Sequence, residues 1–277
     1  MDERLSQLFD MVINAKVYDL EQPRRMHSPT FPAHWPGHIF TLHRRHESGL
    51  EERRTSASGT IFTTEHAGTH IDAFCHQAED LRMYGGVEIT PEIQTSAGFT
   101  ELGVDSVPPI VKRGVLLDVA AANGGALPPE YRVTDDDLRR ALRQQDVPIA
   151  PGSVVLVRTG YGAYWEDPGH YLKAPGVDRS GSEWLAEHDV FAVGIDNVVW
   201  DIPGDFDPTV RSTLPGHVIL LVRAGIYIIE NVYLESLAAD GAYEFLFVCL
   251  PLKFQGGTGS PVRPISVVPD TSQGRLA

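Results

Sequence analysis

The sequence predicts a single α/β domain built around a mixed sheet. Its 277 residues are 42% hydrophobic and 22% charged, a composition typical of a globular protein that buries a substantial core. Strand-like and helix-like segments alternate only irregularly along the chain, which favours a mixed sheet over a wholly parallel one. No internal repeat and no Pro/Ser-rich linker divides the sequence, so we expect residues 1–277 to form one domain.

The N-terminal part is predicted to contain one helix, two strands and one flexible loop. Residues 2–14 are predicted to form an amphipathic helix, and VYDL, residues 17–20, a strand. The charged segment HRRHESGLEERRTSAS, residues 43–58, predicts a flexible surface loop. The Thr and aromatic content of GTIFTTEH, residues 59–66, favours another strand.

The remaining elements follow from apolar runs and helix signals. In VTDDDLRRALRQQ, Thr134 is placed to cap a helix whose first turn is acidic and whose end is basic. Gly225 is placed to end a buried helix. The predicted helices are 133–145, 182–189 and 216–225, and the predicted strands are 109–121, 153–161, 190–196, 226–232 and 244–253.

Charge and cysteine content exclude several classes of partner and site. The formal charge of -14 would repel nucleic acid and anionic lipid surfaces, because both are bound mainly through clustered Lys and Arg. No apolar stretch approaches the roughly 20 residues of a membrane helix. The first residues are acidic and lack the features of a signal peptide, so we expect a cytoplasmic protein. Two cysteines, Cys75 and Cys249, provide neither a disulfide framework nor a paired-cysteine zinc site.

The segment EHAGTHIDAFCHQ, residues 65–77, concentrates His66, His70, Asp72 and His76. All four would share one face of a strand. His66 and His70 would nevertheless lie roughly 13 Å apart on a straight strand, too far to bind one metal ion. Gly68 is the expected bend, because glycine adopts dihedrals that other residues avoid.

Two imidazoles and a carboxylate form a ligand set suited to Zn or Mn with open positions for water. A bound divalent ion lowers the pKa of its water and polarises a carbonyl, and an unligated histidine such as His76 can carry the proton. The alternative at this point is that the four residues are ordinary hydrogen-bonding surface residues.

HAGTHIDAFCH resembles the H-x-G-T-H-x-D-x-P-x-H signature of the cyclase-like metal-dependent hydrolases, the family of bacterial kynurenine formamidase and isatin hydrolase. The resemblance covers most of residues 17–265 and implies the swivelling β/β/α fold of that family. The other segments that are similar, in family order, are PIVKRGVLLDVA, VLVRTGY, VGIDNVVWD, GHVILLVRAGIYIIENV and PLKFQGGTGSPVRPI.

The resemblance also implies roles for individual residues. His66, His70 and Asp72 would be metal ligands and His76 the proton donor and acceptor, while His217 and Glu230 would complete a site for one or two ions. A buried carboxylate such as Glu230 in the apolar strand IYIIENV requires a compensating cation or donor. The alternatives are an exposed strand end for Glu230 and a capping or core histidine for His217.

Three positions depart from the signature or lie beside it. HWPG, residues 34–37, resembles the Trp-Pro-Gly of the formamidases, which implies that Trp35 lines the substrate pocket; a packing anchor is the alternative. His38 stands where the family usually has an acid. Phe74 replaces the signature proline and can alter the bend toward His76.

Other polar residues have structural explanations as well as functional ones. Asp196 follows an apolar strand and is either a site residue or a helix cap. We expect Arg158 to be a buried charge paired with an acid, and Cys75 a small buried neighbour of the cluster. FQGGTGSPVRP predicts a structural turn or a backbone lining of the pocket.

The function predicted in this way is metal-dependent hydrolysis of an amide-type C–N bond, linear or cyclic, in a small molecule. The resemblance implies one or two Zn or Mn ions per chain and a homodimer or homotetramer. Because the chain is longer than compact formamidases, a small lactam or carboxamide is the preferred substrate. The alternatives are a metal-dependent cyclase or dehydratase acting on an activated carbonyl, and a non-catalytic metal-binding protein.

Overall fold

A nine-stranded mixed sheet forms the centre of the computed structural model, which describes residues 2–49 and 51–269. In chain order, the strands within these residues are β1 (Lys16–Asp19), β2 (His38–Arg44), β3 (Ser58–Thr63), β4 (His70–Asp72), β5 (Gln94–Thr95), β6 (Gly98–Phe99), β7 (Ile110–Asp118), β8 (Arg132–Val133), β9 (Val154–Arg158), β10 (Gly176–Val177), β11 (Ala192–Ile195), β12 (Tyr227–Glu230), β13 (Glu244–Cys249), β14 (Gly259–Pro261) and β15 (Ile265–Val268).

The main sheet has the order β1-β15-β13-β7-β9-β11-β12-β4-β14. The pairs β7–β9, β9–β11 and β11–β12 are parallel, whereas the pairs on either side of this group are antiparallel. The predicted α/β fold around a mixed sheet is therefore confirmed.

Helices cover the parallel part of the sheet. The α-helices of the described residues are α1 (Glu3–Ile13), α2 (Val119–Ala122), α3 (Asp135–Gln145), α4 (Pro168–Tyr171), α5 (Arg179–Glu187), α6 (Pro215–His217) and α7 (Glu235–Ala239), and α6 continues as a π-helix over Val218–Ala224. Helix α1 has no buried residue and is not part of this cover. Residues Val154 to Val157 of β9 are all fully buried, as expected for a parallel strand with both faces covered. None of the helices in the described part of the chain is long and apolar enough to cross a membrane.

Local signals predicted the start of α3 and the end of the π-helix. Thr134 and Asp137 form a capping box at the start of α3, in which each side chain accepts a hydrogen bond from the other residue's backbone N–H. The π-helix ends at Gly225, whose φ of 69° lies in the left-handed region that favours glycine.

Helix α1 spans Glu3–Ile13, within the predicted range 2–14, and its N-cap is Asp2 and its C-cap Asn14. The range predicted for the loop, 43–58, includes residues at both ends that belong to strands. His43 and Arg44 belong to β2, and Ser58 begins β3, so the two strands pair as an antiparallel hairpin and leave 45–57 as their connection. The charged composition concealed the strand because neither face of this hairpin is buried, so no apolar alternation marked it. Leu50, within the connection, lies outside the described residues.

Candidate metal centre

The bend expected at Gly68 is present and brings the motif residues together. Gly68 has a φ of 65°, and ligand atoms of His66, His70 and Asp72 all lie within 4.8 Å of one another. Arg24, which sequence reasoning missed, holds the bend, because its guanidinium donates hydrogen bonds to the carbonyls of Ala67 and Thr69. The positive φ at position 68 favours glycine, and an added Cβ atom would lie 2.8 Å from Arg24 Nη1, so a larger residue would also displace the Arg24 side chain.

Sheet register places Glu230 beside this motif. Strand β12 pairs with β4 so that Glu230 is directly opposite His70, and the two side chains lie on the same face. Glu230 Oε2 is 3.4 Å from His70 Nε2, and Glu230 is only 4% exposed. The alternative of an exposed strand end is therefore wrong.

His217 approaches the same point from the start of its helix. Its Nδ1 is 2.6 Å from Asp201 Oδ2, while its Nε2 is 3.5 Å from Asp72 Oδ2 and 3.3 Å from Glu230 Oε1. Asp201 also accepts hydrogen bonds from the backbone N–H groups of Gly216 and His217, which fixes the orientation of the ring. Asp201 was missed by the sequence reasoning, because nothing local in VVWD indicates its partner 16 residues later.

Burial and neighbouring charges act in opposite directions on the two carboxyl groups. Burial raises the pKa of Asp72, but the surrounding histidines, with His76 and His217 foremost, outweigh it and hold that pKa well below its usual range. Burial likewise raises the pKa of Glu230, but His217 and His70 outweigh it and lower the pKa to about 2. Both groups are therefore carboxylates, the form that binds a cation.

His76 also reaches the centre. Its ring stacks on that of His66 with centroids 4.0 Å apart, and one ligand atom each of His76, Asp72 and His217 lie within 4.8 Å of one another. Burial lowers the pKa of His76 to about 3. Phe74, in the same short 3₁₀ turn, stacks on Tyr227 with centroids 4.1 Å apart, so the residue that replaces proline anchors the turn from the core side.

His34 is a fifth histidine at the centre, and sequence reasoning did not propose it. Its ring centroid lies 4.6 Å from that of His66, and burial, followed by the neighbouring His66 and His70, lowers its pKa to about 4. Thr64 Oγ1 donates a hydrogen bond to the His34 carbonyl at 2.8 Å and ties the HWPG segment to the motif. Trp35, next in the chain, is 75% exposed and lies outside this buried cluster. Its substrate-binding role stays a prediction.

The donor set fits a divalent cation. Asp72 Oδ2 is buried and has no hydrogen-bond partner among the described residues, which is costly for a carboxylate unless a cation compensates it. The carboxylate oxygens of Asp72 and Glu230 lie 3.3–3.5 Å from His70 Nε2 and His217 Nε2. Imidazole nitrogens and carboxylate oxygens that converge in this way are ligands that Zn and Mn both accept.

A family model described as "Putative cyclase" matches residues 18–202. That range is more than half of the 277 residues. The chain belongs to the Cyclase family.

Named relatives of this Cyclase family member include enzymes of two activities. Kynurenine formamidase of Sphingopyxis alaskensis is 28% identical over 256 residues, which cover 91% of this chain and 97% of that protein. Isatin hydrolase of Roseibium aggregatum is 27% identical over 214 residues, 74% of this chain and 72% of that protein. Cyclase-like protein 3 of Oryza sativa subsp. japonica is 28% identical over 207 residues, and this chain spans only 62% of its length.

Solved structures of the Cyclase type share the fold. A structure described as a novel cyclase has a TM-score of 0.81 at 28% identity and is matched over 96% of this chain and 91% of its own. Isatin hydrolase A from Ralstonia solanacearum has a TM-score of 0.73 at 22% identity, with 97% of each chain covered. The fold implied by the resemblance is thus confirmed.

Three other residues considered in the sequence have structural roles in this member of the Cyclase family. Asp196 is a cap, because its carboxylate accepts hydrogen bonds from Thr159 and from the backbone N–H groups of Gly160 and Gly162. Arg158 is paired with Asp118 and Glu235, as expected. Cys75 is buried, and burial raises the pKa of its thiol to about 12, which leaves no thiolate to act as a nucleophile.

Replacing Asp196 with alanine is expected to lower the free energy of unfolding by about 3 kcal/mol, because several buried donors lose a charged acceptor at once. Urea unfolding monitored by circular dichroism measures this change. Asp136→Ala, which removes an exposed carboxylate from the first turn of α3, is the matched control and should unfold close to the unchanged protein. Metal content per folded molecule should be unaffected by either change; loss of metal in Asp196→Ala alone would contradict the capping role.

Proposed function

We propose that this protein is a metal-dependent hydrolase that cleaves an amide-type C–N bond, linear or cyclic, in a small molecule. The observation that carries the proposal is that His66, His70, Asp72, His217 and Glu230 lie together in one buried cluster. Within it, Asp72 Oδ2 has no hydrogen-bond partner among the described residues. The names of two relatives, kynurenine formamidase and isatin hydrolase, support this reaction class.

The proposed ligands form two groups that share Asp72. Oδ1 of Asp72 faces His66 Nδ1 at 2.8 Å and His70 Nε2 at 3.5 Å, whereas Oδ2 faces His217 Nε2 at 3.5 Å. Glu230 similarly directs one oxygen to His70 and the other to His217. Two carboxylates that each face both groups support a site for one or two Zn or Mn ions.

A divalent cation held by these residues would lower the pKa of water toward neutrality and polarise the substrate carbonyl. His76 is the proposed proton carrier, because it is the histidine of the signature whose ring nitrogens have no hydrogen-bond partner among the described residues. Its burial favours the neutral ring, which can accept a proton and then donate it to the departing nitrogen. Trp35, beside His34, is proposed to contact the substrate from the exposed side.

The proposed substrate class is a small lactam or carboxamide. Chain length does not argue against a formamide, because the alignment to the Sphingopyxis formamidase covers 91% of this chain and 97% of that protein. An N-formyl aromatic amine and a fused-ring lactam are therefore the first compounds to assay. A cyclase or dehydratase would eliminate water and release no amine or carboxylate. A non-catalytic metal-binding protein would neither cleave the C–N bond nor eliminate water.

Removal of metal is expected to abolish hydrolysis. Dialysis against a chelator should reduce turnover of whichever amide is a substrate to background, and either Zn or Mn should restore it. Liquid chromatography of the products distinguishes C–N cleavage from water elimination. Full activity in protein that elemental analysis shows to be metal-free would overturn the proposed function.

We also propose that the protein is a homodimer or homotetramer, as the resemblance implied. Helix α1 has an apolar face but no buried residue. In the hairpin, Phe40 lies opposite Ile61, and both are exposed, Ile61 to 64%. A two-stranded hairpin without packing is only marginally stable in water, so contact with a second copy of the chain would stabilise both elements. A cytoplasmic location stays a prediction.

Substituting both Phe40 and Ile61 with aspartate is expected to shift the protein to a smaller species, because charge on that face opposes its burial. Sedimentation velocity measures the change. The control is Thr41→Asp with Thr60→Asp, a pair on the opposite face of the same strands. A monomeric unchanged protein, or an unaltered assembly in the Phe40/Ile61 variant, would contradict this interface.

A further inference from the structure

The outer side of His66 faces a threonine in the FQGGTGS segment. His66 Nε2 is 2.8 Å from Thr258 Oγ1, and Thr258 Oγ1 is 2.6 Å from Glu65 Oε2. The backbone N–H of Thr258 also donates to Glu65 Oε2 at 3.0 Å. None of these contacts involves the centre itself, since His66 Nδ1 is the nitrogen that lies 2.8 Å from Asp72 Oδ1.

The chemistry of these groups sets the direction of each hydrogen bond. A carboxylate only accepts, so the single hydroxyl proton of Thr258 is directed to Glu65. The Thr258 hydroxyl oxygen can then only accept a hydrogen bond from His66. His66 Nε2 must therefore carry a proton and donate it to Thr258 Oγ1. The lone pair available for a metal ion is consequently on Nδ1, the nitrogen that faces Asp72.

The backbone holds Thr258 firmly in this position. Its carbonyl accepts a hydrogen bond from Ala73 N at 2.9 Å, immediately before β14 pairs with β4. A Cβ atom at Gly257 would lie 2.6 Å from Glu65 Oε1, so a glycine at that position makes room for the carboxylate. Gly257 thus leaves space for the carboxylate that binds Thr258 behind His66, a role that the sequence did not reveal.

The other two histidines are oriented in the opposite way. His70 Nδ1 donates to the Gly68 carbonyl at 2.7 Å, and His217 Nδ1 is bonded to Asp201, so both rings direct Nε2 to the centre. We propose that Glu65 and Thr258 are positioning residues that make His66 bind the metal through Nδ1, in contrast to His70 and His217. This inference rests on the proposed ligand set.

The proposal is tested by zinc affinity and by the protonation of His66 in the zinc-loaded protein. Removing the acceptor with Thr258→Val, or freeing the hydroxyl to rotate with Glu65→Ala, is expected to weaken zinc binding by about 10- to 100-fold, the usual effect of losing an outer partner of a ligand. Thr258→Ser keeps the hydroxyl and should restore the affinity. Thr100→Val, at an exposed threonine, is the matched control. Competition with a fluorescent chelator gives each affinity, and circular dichroism confirms that each variant is folded.

Nitrogen NMR of protein labelled with ¹⁵N-histidine gives the second readout, with the His66 signals assigned from a His66→Gln variant. The expected result is a zinc-bound Nδ1 and a protonated Nε2 for His66, and the reverse for His70. Zinc on His66 Nε2, or an unchanged affinity in both Thr258→Val and Glu65→Ala, would overturn the positioning role. A His66 that binds no zinc while His70 does would instead refute the proposed ligand set.

Discussion

Replacing Asp72 with asparagine is expected to remove metal and turnover together. Asp72 is the carboxylate common to both ligand groups, and its Oδ2 is a buried acceptor with no hydrogen-bond partner in the described structure. Asparagine has nearly the same shape but lacks the charge, so it cannot compensate a divalent cation among buried histidines. We expect a fall in catalytic rate of at least about 100-fold, as when one preorganised electrostatic group is lost from a reacting centre.

Elemental analysis of the purified variant and an amide-hydrolysis assay check this result. The matched control is Asp136→Asn, which neutralises an exposed aspartate on α3 and should keep both metal and activity. An Asp72→Asn protein with its full metal content and normal turnover would refute the proposed centre. Circular dichroism of both variants separates a loss of metal from a loss of fold.

His76→Ala is expected to keep the metal and lose turnover by about 100- to 10,000-fold, the range for removing a general acid or base. The ring stacks on His66 and one of its nitrogens lies within 4.8 Å of ligand atoms of Asp72 and His217, while neither ring nitrogen has a hydrogen-bond partner among the described residues. Phe74 belongs to the same 3₁₀ turn as His76 and stacks on Tyr227. This contact holds the turn in place, so the His76 ring stays at the centre although the signature proline is absent. Phe74 therefore does not remove His76 from the site.

The measurements are metal content and the rate of amide hydrolysis on the same preparation. His188→Ala is the control, because His188 Nδ1 is bonded to the Trp184 carbonyl and not to any group of the centre. Loss of metal together with activity would make His76 a ligand, and undiminished activity would remove its proton-carrier role.

Much of the centre was predictable because its residues lie in one short motif. The spacing of His66, His70 and Asp72, with a glycine between the histidines, required a bend, and the structure has that bend at Gly68. The burial of Glu230 could be anticipated for a similar reason, since an acid in an otherwise apolar strand needs a partner. Apolar runs and the capping signal at Thr134 likewise predicted most of the main strands and helix α3.

The hairpin and the outer partners of the proposed ligands were not predictable in this way. His43 and Arg44 carry no apolar alternation because their strand is exposed on both faces, so the segment looked like a loop. Arg24, Asp201 and Thr258 are ordinary residues in sequence, and each acts on the centre from a distant part of the chain.

By itself, the sequence determined the chemical type of the proposed ligands, the position of the bend and the mixed α/β fold, because each depends on residue types at short spacing. Only the tertiary structure decided which nitrogen of each histidine faces the centre and that His34 joins it. The physical reason is that the orientation of a histidine ring depends on the hydrogen-bond acceptor behind it. For His66 that acceptor is Thr258, which lies just before a strand that pairs with β4, and for His217 it is Asp201. Both acceptors come from segments distant in the sequence.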